Sequence, residues 1–157
     1  MIISQCEALT QAQSYVELVT PAQYSDVISP QFMSSAGAHM RHIIDHYQAF
    51  IDGIETGIID YDSRRRNTAI EIEPQLAWSK LAQIKAKILA LDEQSLYQDI
   101  MLTTEVSISE CIVQQVPSSL ARELIFVGSH AVHHFAMIKQ IANMQQVALP
   151  INFGIAP

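Results

Sequence analysis

The chain has 157 residues, of which 49% are hydrophobic and 16% charged, and its formal net charge is −7 with histidine neutral. This length suits one domain with a sizeable core, and the small charged fraction excludes an intrinsically disordered chain. With only 9 Lys and Arg residues, the acidic chain is not expected to bind nucleic acid or an anionic membrane. We find no signal peptide and no apolar window of the roughly 18 residues that span a membrane. We therefore expect a soluble, cytoplasmic protein.

The two cysteines support the same compartment. Cys6 and Cys111 lie far apart in the sequence, and neither belongs to a C-x-x-C unit. Cytoplasmic thiols are normally kept reduced, and free cysteines are often found in protein cores. We therefore predict that both cysteines are buried, reduced thiols.

Two amphipathic helices are predicted in the first third of the chain. Apolar residues recur at helical spacing from Ile2 to about Thr20, where Pro21 ends the pattern. Residues 21–30 are predicted to be a linker, with or without a short turn. The second helix is expected from Ser34 to about Thr56, with Gly57 as its stop.

The second half of the chain is predicted to hold two more helices and a β-hairpin. Residues 57–68 are polar and are expected to form a loop, and Pro74 opens a third helix to about Leu91 with Leu76 and Leu81 facing inward. Two β-prone runs within residues 99–116 predict a short hairpin. A fourth helix follows from Ser118-Ser119 to about Gln146, and residues 149–157 form an irregular tail. The sequence thus predicts an all-α four-helix bundle with a short hairpin before the last helix.

The six histidines fall in two short clusters, one in the second predicted helix and one in the fourth. Within them, His42 and His46 are four residues apart, as are His130 and His134. This spacing places two imidazoles on one helix face, one turn apart, as many helical metal sites require. The clusters are His39, His42 and His46, and His130, His133 and His134.

A divalent metal ion is the simplest explanation of these clusters. A lone histidine on an apolar face is usually a core residue with a hydrogen-bond partner. Two clusters that both face the core are harder to explain in this way, because each buried polar group without a partner costs about 1–3 kcal/mol. An all-nitrogen site suits Zn, Ni, Cu or Fe. Glu123, Asp45 or the remaining histidines could bind the outer nitrogens of the ligands, although they could equally be ordinary surface or border residues.

The segments Gly37-Ala38-His39-Met40-Arg41-His42 and Ser129-His130-Ala131-Val132-His133-His134 resemble the DinB-like superfamily. The resemblance covers nearly the whole chain and implies one four-helix-bundle domain over residues 1–157, often as a homodimer. It implies one metal ligand from the second helix and an H-x-x-x-H pair from the last. In this sequence those ligands are His42, His130 and His134, with His46 as a possible additional ligand and His39 or His133 as outer groups.

Two functions are open at this point. The first is a metal-dependent enzyme that acts on a small molecule. The resemblance implies a transferase using a low-molecular-weight thiol, and activation of water by the ion would instead give a hydrolase. Zn or Ni is the expected ion, with Fe as an alternative. Tyr47, Tyr61 and Arg64, with the neighbouring Arg65 and Arg66, could line the pocket mouth and hold an anionic substrate, although the arginines are more readily explained as part of a solvated loop. The alternative is a non-catalytic module that binds a metal or a small ligand. No catalytic residue is identified.

Overall fold

Helices make up most of the chain in its computed structural model, which describes residues 1–63 and 68–156. None of the helices among the described residues combines the length and the apolar character needed to cross a membrane. The five α-helices there are α1 Ile2–Leu18, α2 Pro21–Ser25, α3 Ala36–Thr56, α4 Pro74–Leu89 and α5 Leu120–Met144, and the three strands are β1 Ile58–Asp60, β2 Asp99–Glu105 and β3 Val113–Ser119.

The region predicted as a linker after α1 begins with the short helix α2. The Thr20 hydroxyl accepts a hydrogen bond from the Gln23 backbone N–H at 3.2 Å, and the Gln23 side chain accepts one from the Thr20 backbone N–H at 3.0 Å. This capping box, with Pro21 in the first turn, is sufficient to start a helix. The prediction of a linker over residues 21–30 is therefore wrong for Pro21–Ser25.

Local sequence signals set the ends of α3 and the start of α4. The Ser35 hydroxyl accepts a hydrogen bond from the Ala38 backbone N–H at 3.1 Å, and Gly57 ends α3 with a φ of 78°. Pro74 lies in the first turn of α4, as expected. Leu76 was predicted to face inward, but it is 42% exposed, whereas Leu81 is fully buried. The prediction for Leu76 is wrong because it lies on the solvent side of the first turn.

A three-stranded sheet accompanies the helices among the described residues. β2 and β3 pair antiparallel, with Asp99 opposite Ser119. β1 lies in the stretch predicted as a loop and pairs parallel with β2, with Ile58 opposite Met101. The loop prediction for residues 57–68 is therefore wrong for Ile58–Asp60, because the strand depends on a partner far away in the sequence.

The four long helices bury one hydrophobic core. α1 packs against α4 and α5, and α3 packs against the same two helices. Cys6 belongs to the core, as predicted, but Cys111 is exposed. The expectation for Cys111 fails because it lies in the connection between β2 and β3, which extends away from the core. The packing that matters most for the histidines is that of α3 on α5.

Candidate metal centre

Helices α3 and α5 bring the two histidine clusters together. α3 carries His39, His42 and His46, and α5 carries His130, His133 and His134. Because the two helices pack against each other, five of the six rings form one group, and His133 lies exposed at its edge.

Three of these imidazoles, those of His42, His130 and His134, are in contact through their Nε2 atoms. The Nε2 atom of His130 lies 3.0 Å from the Nε2 atom of His42 and 3.1 Å from that of His134. The three ring centroids are 4.6–5.0 Å apart, and each pair of rings is inclined by 65–70°. The rings of His42, His130 and His134 are thus steeply inclined to one another, and the Nε2 atoms of His42 and His134 both lie against that of His130.

His46 lies beside this group in a different orientation. It is buried, and its Nδ1 atom lies 3.0 Å from the backbone carbonyl oxygen of His42. Since a carbonyl can only accept, Nδ1 carries the proton and Nε2 keeps its lone pair. The His46 ring stacks on that of His130 at 4.1 Å. Ring nitrogens of His42, His46 and His130 all lie within 4.8 Å of one another, which is close enough for one metal ion.

Two sets of three histidines therefore lie close together: His42, His46 and His130 form one, and His42, His130 and His134 form the other. Two nitrogen ligands of one tetrahedral zinc ion lie about 3.3 Å apart when each Zn–N bond is about 2.0–2.1 Å. The His42–His130 and His130–His134 distances are within a few tenths of an ångström of this value. His46 stacks face to face on His130, whereas the rings of His42 and His134 are steeply inclined to it.

His39 contacts the outer side of His134. The Nδ1 atoms of the two rings are 3.0 Å apart, which is a hydrogen bond in which one ring donates and the other accepts. This contact leaves open the prediction that His39 or His133 lies outside the ligand set.

Burial favours the neutral form of His134 and His39. The pKa of His134 is lowered to about 3, mainly because burial disfavours the charged ring, and secondarily because His130 and His39 are close by. Burial also lowers the pKa of His39, with smaller contributions from His133 and Arg41. Neutral imidazoles retain a lone pair, which is the form that binds a metal ion.

A buried carboxylate supports the cluster from the side of the sheet. Glu123 is fully buried and accepts hydrogen bonds from the Tyr61 hydroxyl at 2.9 Å, the Arg122 guanidinium at 2.7 Å and the Ser118 hydroxyl. Burial and the charge of Glu123 raise the pKa of Tyr61 well above its usual range. The Tyr61 ring stacks on His46 at 5.1 Å. Glu123 therefore supports the imidazoles through Tyr61.

The residues expected at the pocket mouth are placed differently. Tyr47 is fully buried and Tyr61 is 7% exposed, so both belong to the interior. Asp45, a candidate outer group, forms an ion pair with Arg41 at 2.7 Å. The expectation for Arg64, like that for the two arginines after it, concerns residues outside the described part of the chain.

A row of three side chains along α5, those of Arg122, Phe126 and His130, was not predicted. The Arg122 guanidinium lies 5.0 Å from the centre of the Phe126 ring, and that ring lies 5.8 Å from the ring of His130. The spacing of i, i+4 and i+8 would have predicted this row. It extends from the histidines towards Arg122, whose side chain is 57% exposed.

The shape of the whole molecule matches two solved bacterial proteins. A DinB-like protein from Bacillus subtilis aligns with a TM-score of 0.67 over 97% of this chain and 96% of its own, at 18% identity. A DinB-like protein from Bacillus cereus aligns with a TM-score of 0.61 over 91% and 89%, at 12% identity. This chain has the DinB-like fold. The expected resemblance to the DinB-like superfamily is confirmed at the level of the fold.

Part of the sequence is similar to that of a longer protein. FK506-binding protein 5 of Rhizopus delemar is 32% identical to this DinB-like chain over 100 residues, which are 64% of the chain and 26% of that protein. The chain thus matches about a quarter of the length of that curated relative. No protein-family profile matches the sequence.

Proposed function

We propose that this DinB-like chain binds one divalent metal ion through His42, His130 and His134 and is an enzyme that acts on a small molecule. The observation that carries the proposal is that the Nε2 atom of His130 lies 3.0 Å from that of His42 and 3.1 Å from that of His134. The Nε2 atom of His130 faces two other Nε2 atoms, but a neutral ring nitrogen carries either one proton or one lone pair and forms only one of these two hydrogen bonds well. A shared cation satisfies all three lone pairs at once.

The donor set favours Zn or Ni, with Fe as a further candidate, because imidazole nitrogen suits all three ions. When bound, such an ion supplies a Lewis acid that lowers the pKa of a thiol or of a water molecule. The first case supports transfer of a low-molecular-weight thiol, and the second supports hydrolysis. The ligands His42, His130 and His134 are only partly buried, which supports access of a small molecule to the centre.

The framework that we propose for this site is a four-helix bundle of α1, α3, α4 and α5, in which β2 and β3 form a hairpin before the last helix. Its core is large enough to fold without a metal, since small domains rather than chains of this size depend on metal ions for stability. A metal centre in such a protein is better explained by reactivity than by stability.

The second candidate is a non-catalytic metal-binding module. It is favoured by the position of His46, which lies with His42 and His130 inside one 4.8 Å group. If His46 completes the ligand set, the ion has four protein ligands, as structural zinc sites do.

Metal content tests the ligand set. The purified protein and its His42→Ala, His130→Ala and His134→Ala variants would be loaded with Zn²⁺ and titrated against a chelator. We expect one ion per chain in the wild type and at least a 100-fold loss of affinity in each variant. The matched control is His133→Ala, because His133 lies on α5 beside His134 but is exposed. Wild-type affinity in all three ligand variants would refute the site.

Cobalt substitution separates the two functions. The absorption spectrum of the Co²⁺ protein would be recorded with and without 2-mercaptoethanol, in the wild type and in His46→Ala. A thiol-dependent spectral change in the wild type would support an enzyme with an open position. A spectrum that responds to thiol only after His46 is removed would support the closed, non-catalytic module.

A further inference from the structure

His39 is placed to control the ligand that comes from the opposite helix. It precedes His42 by three residues on α3, so both side chains lie on the same side of that helix. Its Nδ1 atom is 3.0 Å from the Nδ1 atom of His134 on α5, and the two rings are tilted by 44°. One helix thus supplies a proposed ligand and also a partner for a proposed ligand on the other helix.

The hydrogen bond between the two rings has only one consistent direction when His134 holds a metal ion. A neutral imidazole has one N–H, and a ring bound to a metal through Nε2 carries that proton on Nδ1. His134 is then the donor, and His39 accepts through the lone pair of its Nδ1 atom. The reverse direction would leave the proton of His134 on Nε2, where it would block the metal.

We propose that His39 is a positioning residue, which fixes the tautomer and the ring orientation of His134 so that its Nε2 atom faces the metal. This inference rests on the proposed function, because it requires His134 to be a ligand. His39 itself does not touch the ion. Its place is set by the backbone of the first turn of α3, where its N–H donates to the Ser35 carbonyl at 3.2 Å.

The chemical nature of this partner is unusual for a metal site. Ligand imidazoles most often donate to a carboxylate, a backbone carbonyl or water. The carboxylates of Asp45 and Glu71 form ion pairs with Arg41 at 2.7 Å and 2.9 Å. An uncharged acceptor on His134 adds no negative charge to the ligand, so the ion keeps more of its positive charge for a bound small molecule.

Three substitutions at one position test this role. His39→Ala removes the acceptor, His39→Asn replaces it with an amide oxygen at nearly the same distance from the backbone, and His39→Asp replaces it with a carboxylate. We expect His39→Ala to weaken Zn²⁺ binding by roughly 10- to 100-fold. His39→Asn should recover most of the loss, and His39→Asp should bind at least as tightly as the wild type. The number of ions bound should stay at one per chain, and His133→Ala should leave the affinity within about 3-fold.

Nitrogen-15 NMR of the Zn²⁺ protein gives a readout that a purely structural role would not change. We expect the Nδ1 of His134 to carry a slowly exchanging proton in the wild type and in His39→Asn, and to lose that protection in His39→Ala. Equal affinity and equal protection in wild type and His39→Ala would overturn the proposal. Two ions in the wild type and one in His39→Ala would also overturn it, since His39 would then be a ligand of a second ion.

The same titrations distinguish this failure from failure of the proposed function. If His42→Ala and His130→Ala lose Zn²⁺ while every His39 variant binds it normally, the metal site is supported and only the proposed role of His39 is refuted. If His42→Ala and His130→Ala bind Zn²⁺ like the wild type, both the proposed metal site and the proposed role of His39 are refuted.

Discussion

The two pairs of long helices in this protein differ in what they place between them. α1 and α4 meet through aliphatic side chains such as Leu9, Leu81 and Ile88, all of them fully buried. α3 and α5 also bury apolar residues, but they hold five imidazoles in mutual contact along one stretch. The first pair gains stability from every contact, whereas the second must desolvate polar rings.

The difference indicates a division between folding and chemistry. An interior polar cluster is costly unless each member has a partner, and here each histidine of the cluster has a ring or a carbonyl close to it. We therefore expect substitutions between α1 and α4 to change stability and leave metal binding intact. Substitutions of the histidines between α3 and α5 should instead reduce metal binding.

Leu81→Ala tests the first half of this comparison and should have the largest effect on stability. Leu81 is fully buried, so its truncation leaves a cavity and should lower the free energy of unfolding by about 2–5 kcal/mol. Trp78, the only tryptophan, lies on α4 and donates to Glu17 of α1 at 2.7 Å, so its fluorescence reports this helix pair during urea unfolding. Leu76→Ala is the control, because Leu76 is exposed on the same helix and should change stability by about 0.5 kcal/mol or less. A lower Zn²⁺ stoichiometry in folded Leu81→Ala would contradict the division.

Tyr61→Phe tests the support behind the histidines. It removes the hydrogen bond to the buried Glu123 carboxylate and should cost about 1.5–3 kcal/mol of stability, the usual range for a bond to a charged group. Tyr97→Phe is the matched control, since Tyr97 is 71% exposed and should be neutral. Thermal unfolding of the metal-free proteins measures both. Equal melting temperatures for Tyr61→Phe and wild type would show that Glu123 does not depend on Tyr61.

Acid should destabilise the metal-free protein through His134. Its pKa is lowered from 6.5 to about 3 in the folded state, so between these values the unfolded chain binds more protons than the folded one. The contribution to stability is therefore present above pH 6.5 and is lost as the pH falls. We expect a loss of about 1–2 kcal/mol between pH 7 and pH 5 in the presence of a chelator.

The His134→Gln variant is the reference for this titration, because it retains a polar side chain that does not titrate. Its stability should fall less steeply over the same pH range in urea unfolding. Identical slopes for the two proteins would show that His134 is not the group responsible.

Gly57→Ala should have the smallest effect of the four. Gly57 ends α3 with a φ of 78°, and a Cβ atom there would meet no neighbour, so only the backbone conformation opposes the substitution. We expect a loss of about 1 kcal/mol and an unchanged Zn²⁺ affinity. Gly57→Asn should cost less, because asparagine tolerates this conformation. A loss of several kcal/mol in Gly57→Ala, measured by urea unfolding, would mean that the link from α3 to β1 carries more of the stability than its open surroundings indicate.

The long helices were predictable because each depends on nearby residues. Apolar spacing, the proline at the start of α4 and the glycine after α3 act within a few residues of the structure that they set. The convergence of the two histidine clusters was predictable for the same reason, once both were placed on inward helix faces. The burial of Leu81 follows from this spacing, but the exposure of Leu76 depends on how the first turn of α4 meets its neighbours.

The features that were not predicted depend on residues far apart in the chain. β1 is only three residues long and becomes a strand by pairing with β2. The bond between Tyr61 and Glu123 joins residues 62 positions apart, so no local pattern indicates that this tyrosine is interior. The contact between the Nδ1 atoms of His39 and His134 depends on the rotation of α3 relative to α5, which periodicity leaves open within a few tens of degrees.

The parallel pairing of β1 with β2 has a consequence for the order of folding. Ile58 meets Met101 only after the whole of α4 has been looped out, whereas each helix forms from contacts within a few residues. Closing a loop of this length costs conformational entropy before any contact between the strands can offset it. The sheet is therefore expected to form after the helices have begun to pack. Tyr61 follows β1 directly and should reach His46 at that late stage. Substitutions in β1 should therefore speed unfolding while leaving the refolding rate nearly unchanged.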